Sequence, residues 1–296
     1  MHICICICTY QRRIRLRRLL TKLDSQKTDG LFTYSALVVD NDDKFSARDV
    51  VERVRKNSAM AIEYLVEPER SIPLSRNRGV QNARGDMLAF IDDDEFPADD
   101  YWLLKMVRAY RKFNPAGVLG PVTAHFDEKP PKWIIKAGVL ERKRFKTGHL
   151  LHWDETRTGN VLIRRDIFLD SKNLFDPKFT HGQDKDFFRR MTAKGHTFVW
   201  CDEAPVYETC RRDRFKLPFY LKRSVLRGNI SLVHHAYDWR IVLKSLIALA
   251  IYTQGLPVLF VLDYSLFIKY LIKDLDHLGI LSAACGFDSR KYIRHL

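Results

Sequence analysis

Short apolar runs that stop abruptly at polar residues, and alternate with segments of helical periodicity, constrain this chain more than any other feature. His2 to Cys8 runs into Thr9-Tyr10-Gln11-Arg12, Tyr34 to Val39 into Asp40-Asn41-Asp42-Asp43, and Met87 to Ile91 into Asp92-Asp93-Asp94. Between them, Leu16, Leu19, Leu20 and Leu23 recur at helical spacing, Ala61 to Val66 reads as a further strand, and Ser75 to Arg84 reads as a helix. Strands alternating with helices predict an α/β fold with a mostly parallel, mixed sheet flanked by helices. Ligands of such open sheets lie beyond the carboxyl ends of the strands, so the three polar ends should converge on one crevice.

The acidic triplet carries the chemistry. Three adjacent carboxylates at the end of a buried strand are costly without a cation, and hard ions such as Mg²⁺ or Mn²⁺ take oxygen ligands, often one or two carboxylates completed by substrate phosphates. Arg12, Arg76 and Arg84 could add guanidinium forks to phosphate oxygens. Taken alone, the triplet also fits a solvated turn, with Asp99 or Asp100 capping a helix from Tyr101 to Lys112.

With 296 residues and 46% hydrophobic residues the chain can bury a substantial core. Its formal charge of +14 raises polyanions, an anionic membrane face and phosphorylated small molecules as partners without choosing among them. Cys4, Cys6 and Cys8 alternate with Ile3, Ile5 and Ile7, as in a strand buried on both faces, and the other cysteines show no zinc-like spacing, so a reducing compartment fits best. No basic segment precedes the apolar start and arginines follow it, the reverse of a secretory signal, so the expected location is cytoplasmic. Residues 1–215 read as one catalytic domain, with a nucleotide half to about 115 and an acceptor half from about 116 that contains a long insertion. Residues 216–296 read as a basic and apolar helical region. There, Ser245 to Leu262 has no charged residue but contains Gln254, Gly255 and Pro257, which suggests a broken hairpin lying on a membrane interface rather than a span.

The order and spacing of these motifs over residues 1–215 resemble glycosyltransferase family 2, inverting enzymes of the GT-A nucleotide-diphospho-sugar transferase fold, and in particular bacterial exopolysaccharide transferases of the succinoglycan type. The resemblance implies that Thr9, Tyr10 and Arg12, then Asp40 with Asn41, and then Arg76 with Asn77 contact the nucleotide. Ala83-Arg84-Gly85-Asp86 would precede the metal strand. Asp92-Asp93-Asp94 would occupy the Asp-x-Asp site, with Asp94 and Asp92 as metal ligands for Mn²⁺ or Mg²⁺ and Asp92 and Asp93 serving the nucleotide as well. Thr158-Gly159-Asn160 would lie near the donor sugar, with Trp153 available to stack on a ring. Family members usually carry Glu-Asp where this chain has Gln183-Asp184. The aspartate of that pair is the family's general base, so the resemblance implies Asp184 as the base and Gln183 at the donor or acceptor sugar, with the loss of the glutamate altering the acceptor contacts and Asp186 a rival base.

These readings together describe a metal-dependent inverting transferase that moves a hexose from a nucleotide sugar, with a UDP-sugar expected, to a glycan or lipid-linked acceptor. It would work peripherally on the inner face of the cytoplasmic membrane, with no nucleic acid partner. A nucleotidyltransferase of related fold would need a lysine- and glycine-rich N-terminal phosphate loop, and residues 9 to 20 contain neither residue. A non-catalytic basic protein that binds nucleic acid or membrane is the remaining alternative.

Overall fold

The structure is a computed structural model that describes residues 1–179 and 181–287; the last nine residues of the expected C-terminal region lie outside the described residues. The chain divides into two compact units, residues 1–124 with 142–209, and residues 125–141 with 210–296.

The first unit is built on seven strands in the order β3-β2-β1-β4-β8-β6-β9. These are β1 (His2–Thr9), β2 (Thr33–Asp40), β3 (Ala61–Val66), β4 (Met87–Phe90), β6 (Gly117–Leu119), β8 (Val161–Arg164) and β9 (Phe198–Trp200). All run parallel except β8, which pairs antiparallel with both β4 and β6. A smaller sheet joins β5 (Glu95–Pro97), β10 (Val206–Thr209) and β7 (Val122–His125) in the order β5-β10-β7.

Both faces of the large sheet are covered. Ile3, Ile5 and Ile7 pack into one cluster with Leu16, Leu19, Leu20 and Leu23 of α1 (Arg13–Asp24), while Cys4 and Cys6 join the other with Phe187 and Phe188. The alternation in β1 thus reflects a strand buried on both sides, and the thiols act as small apolar fillers. The remaining helices of this unit are α2 (Arg48–Arg55), α3 (Ile72–Asn82), α4 (Trp102–Phe113) and α6 (Gln183–Ala193). α3 begins three residues earlier than its periodicity suggests, because the Ser71 hydroxyl accepts from the Leu74 amide as N-cap and Pro73 suits the first turn. α4 starts after Tyr101 rather than at an aspartate cap; Asp99 accepts instead from the Tyr101 amide at 2.9 Å.

The second unit holds α5 (Lys132–Ala137), α7 (Leu217–His234), α8 (Trp239–Leu262) and α9 (Tyr264–Ala284). α5 packs on α9, and Trp133 meets Tyr220 edge-on at 5.6 Å, so part of the expected insertion belongs with the C-terminal helices. The hairpin of α8 and α9 is present, but α8 is not broken. It continues through Pro257, which has no N–H to donate to the Thr253 carbonyl.

Candidate active site

The parallel register places Thr9 beside Asp40, and Cys6 beside Phe90, so the ends of β1, β2 and β4 share one edge of the sheet. Asp93 is the hub of that edge. Its carboxylate accepts from the Thr9 hydroxyl at 2.8 Å and from Arg12 at 2.6 Å. Arg12 also reaches Asp94 at 3.1 Å, with Arg15 at 3.8 Å, while Arg76 donates to Asp92 at 3.2 Å. Asp93 and Asp94 are buried and Asp92 is open, so the triplet turns from solvent into the protein within three residues. Burial pushes the Asp93 carboxyl up against the pull of Arg12, and pushes Asp94 up to about 6.

Two features suit a diphosphate and a divalent cation here. Asp94 is a buried acid whose desolvation a hard cation would offset, and the Nη1 atom of Arg76 is buried without a hydrogen-bond partner, as expected of a guanidinium shaped for a phosphate oxygen. Among the described residues, no three His, Cys, Asp or Glu side chains form a closed metal cage. A Mg²⁺- or Mn²⁺-type site does not require one when phosphates supply part of the shell.

Several expected ligand contacts are occupied by the fold itself. Asp40 is fully buried and accepts from the Ala47 amide at 2.7 Å and the Tyr64 hydroxyl at 2.8 Å; burial raises its pKa against these bonds. Asn41 donates to the Glu67 and Glu69 carbonyls and accepts from the Ser71 amide. Asn77 exchanges two 2.8 Å bonds with the backbone of Phe175. Asn160, with φ of 57°, accepts from the Trp102 indole at 2.7 Å and donates to the Pro121 and Ala204 carbonyls. These three asparagines act as locks that shape the crevice, since every bond described for their side chains is internal. Arg84 is a correction to the expected phosphate contact: it precedes β4, as its motif implies, and is exposed there, so it lies at the opposite end of that strand from Asp92. Tyr10 stays at the crevice edge, half-buried, with the Arg70 guanidinium 4.4 Å above its ring.

The second chemical group starts α6. Gly182, at φ of 74°, turns the chain into the helix, and buried Gln183 is its first residue. Asp184 is half-buried in the first turn, its carboxylate accepting from the Lys185 amide at 2.9 Å. Asp186, by contrast, is buried between Arg190 at 2.7 Å and Arg189 at 3.3 Å. That double ion pair occupies both oxygens of Asp186, whereas Asp184 makes no ion pair among the described residues. Trp153 is half-buried against the phenylalanine cluster, which makes packing its visible role.

Sequence reasoning missed a network that runs between the two groups. Glu95, the residue after the triplet, is buried and accepts from the Asp92 amide at 3.2 Å. Burial and the charges of Asp92 and Glu208 raise its pKa well above the ordinary range. Glu208 pairs with Arg142. Buried Thr158 leads to Gly159, where a Cβ would come within 2.6 Å of the Glu95 carboxylate and force that side chain to shift. A fourth consecutive acid was a signal for Glu95, but nothing local pointed to Glu208 or Arg142.

Residues 4–170 match the model of the family described as Glycosyl transferase family 2. The succinoglycan biosynthesis protein ExoM of Rhizobium meliloti (strain 1021) is 33% identical over 240 residues, spanning 77% of this chain and 73% of the relative. The glucosyl-dolichyl phosphate glucuronosyltransferase of Haloferax volcanii is 24% identical over 183 residues, 58% of this chain and 52% of the relative. Among solved structures, the mannosyltransferase PcManGT from Pyrobaculum calidifontis, in complex with GDP-Man and Mn²⁺, superposes with a TM-score of 0.65 at 13% identity, covering 96% of this chain and 86% of that one. S. aureus TarS 1-349, in complex with UDP-GlcNAc, gives 0.57 at 15% identity, covering 97% and 93%. These likenesses identify the sheet as the GT-A fold. The chain belongs to glycosyl transferase family 2 and is a glycosyltransferase.

Proposed function

We propose that the protein is a metal-dependent, inverting hexosyltransferase that takes its sugar from a nucleotide diphosphate donor, UDP-linked by preference, and passes it to a glycan or lipid-linked acceptor in cell-surface polysaccharide synthesis. The observation that carries this reading is the Thr9, Arg12 and Asp93 contact, with Asp92, Asp94 and the unsatisfied Arg76 guanidinium beside it. Mannosyltransferase and TarS structures that hold sugar nucleotides on the same fold support the donor class, and the ExoM likeness supports the exopolysaccharide setting.

In this reading, Asp94 and Asp92 would hold a Mn²⁺ or Mg²⁺ ion, which would supply Lewis-acid stabilisation of the diphosphate leaving group. Arg76 and Arg12 orient the phosphates, and Thr9, Tyr10, Asp40 and Asn41 shape the nucleotide end. Asp184 accepts the proton of the acceptor hydroxyl as its oxygen bonds to the anomeric carbon. The bond from that carbon to the phosphate oxygen breaks, and the nucleoside diphosphate leaves with the electron pair. Attack on the face opposite the leaving group inverts the centre.

The second unit supports work at a membrane. α8 is long and apolar enough to cross one, with a mean hydropathy of 1.9, and it exposes Ile247, Ile251, Val258 and Val261. Its partner α9 exposes Lys269 and Lys273 partway along its length. Charges there would be costly at the centre of a bilayer, which favours a hairpin lying in the interface on the cytoplasmic face. Turnover of a panel of sugar nucleotides, with and without EDTA, tests the reaction, and flotation with anionic vesicles tests the membrane clause. Metal-independent turnover would reject the mechanism.

A further inference from the structure

Arg157 is a charged residue that the reaction above does not use. It is half-buried, and its neighbours Thr156, Thr158 and Asn160 are buried, so the backbone that carries it is fixed. Arg157 makes no hydrogen bond or ion pair with any described residue. The charged groups around it are all occupied. Arg142 pairs with Glu208, Lys185 donates to the Asp154 carbonyl, Glu95 accepts from the Asp92 amide, and Asp184 accepts from the Lys185 amide.

Its neighbours in the chain locate it. Gly159, two residues on, lies so close to Glu95 that a Cβ there would come within 2.6 Å of its carboxylate, and Lys185, next to Asp184, donates to the Asp154 carbonyl three residues before Arg157. Arg157 therefore lies on a segment held between Glu95 and the start of α6, where donor and acceptor sugars would meet in the proposed reaction. Burial and the like charge of Arg142 bring its pKa down to about 10, so the group stays charged at neutral pH in a place that disfavours charge. Glu95, Asp184 and Glu208 favour its charge from nearby, but none of them bonds to it, so the guanidinium fork is left open for an anionic partner. A carboxylate fits the planar fork with two parallel bonds and neutralises it.

We propose that Arg157 is a specificity-determining residue that binds a carboxylate carried by one of the two sugars joined in the reaction, a hexuronate of the donor or of the acceptor. This inference rests on the proposed transferase reading of the same crevice. It assigns Arg157 to substrate choice, distinct from the nucleotide and from proton transfer.

The test measures binding to the full-length protein with Mn²⁺ present, in two arms. The donor arm compares UDP-glucuronate with UDP-glucose, and the acceptor arm compares glucuronate with glucose in the presence of UDP. The charged member of one pair should bind at least ~10-fold more tightly to the wild type, the scale of one charge-assisted contact. Arg157→Gln should abolish that preference, and Arg157→Lys should keep part of it. Equal binding within both pairs, or a preference that survives Arg157→Gln, overturns the proposal. UDP binding in Arg157→Gln is the control for an intact nucleotide site; if it is lost, the charge-retaining Arg157→Lys decides, because only a carboxylate-binding role weakens the charged sugar selectively. Failure of the wild type to bind UDP at all would sink the transferase reading instead, so the two failures are distinguishable.

Discussion

The two acidic groups of the crevice are held in opposite ways. Asp93 and Asp94 are buried and already bridged by Arg12, with Asp92 tied to Arg76, whereas Asp184 stands half-buried at a helix start and accepts a bond from the neighbouring amide. The triplet stores negative charge against fixed cations, so it is suited to hold ligands. Asp184 makes no ion pair with an arginine among the described residues, and its described bond is to the Lys185 amide. Asp186, two residues on, shows the difference within one helix: two arginines close it off.

The sharpest way to break this comparison is Asp184→Asn. The variant keeps the size and helix position of the side chain but loses the base, so turnover should fall by ~10²- to 10⁴-fold with sugar-nucleotide affinity and melting temperature nearly unchanged. A fall in affinity of the same size would mean that Asp184 binds substrate. Next, Arg12→Met leaves buried Asp93 without its guanidinium and Asp94 with only Arg15 at 3.8 Å, which should destabilise the metal-free protein by about 1–3 kcal/mol. Because Mn²⁺ can replace the lost charge, added metal should recover more melting temperature in this variant than in the wild type. An equal response in both would remove the claim that these acids are built for a cation.

A smaller effect on activity separates locks from ligands. Asn160→Ala removes three internal hydrogen bonds and strands the buried Trp102 indole N–H, which should cost about 2–4 kcal/mol of stability in a thermal or urea melt. The Michaelis constant for the donor should stay within about twofold in the folded fraction, since an unsatisfied N–H costs stability where no ligand bond is lost. A large rise in that constant with normal stability would return Asn160 to the sugar.

How legible the molecule was followed the same division. The strands β1 to β4 announced themselves because each is a short, mostly apolar run, and the polar residues closing three of them had to fall on one edge once the strands were parallel. Arg84 was misplaced for the same reason in reverse: a motif neighbour in sequence stands at the other end of a strand. β6, β8 and β9 are three or four residues each, too short to carry a period, and the antiparallel turn of β8 depends on pairing partners far away in the chain. Asparagine in a motif was equally ambiguous, because an amide that could hold a sugar can as readily hold a carbonyl. The C-terminal helices read clearly as apolar, but a proline was overweighted as a breaker: one missing N–H does not end α8.

The smallest effect concerns the resting charge of the triplet. Asp94 has its folded pKa raised to about 6, chiefly by burial, from an ordinary 3.8. The folded, metal-free protein therefore binds this proton more tightly than the unfolded chain does. The stabilising contribution is complete below the unfolded value and is lost as pH rises from about 4 through about 6. Metal works in the opposite sense, since it binds the ionised acid, so Mn²⁺ affinity should weaken as pH falls below about 6. Comparing the wild type with Asp94→Asn across this window, by urea melts without metal, isolates the effect: the asparagine variant should lack the wild-type fall in stability. Identical profiles would place the titrating charge elsewhere, and a bound cation would then be the lesser part of what holds this edge of the sheet.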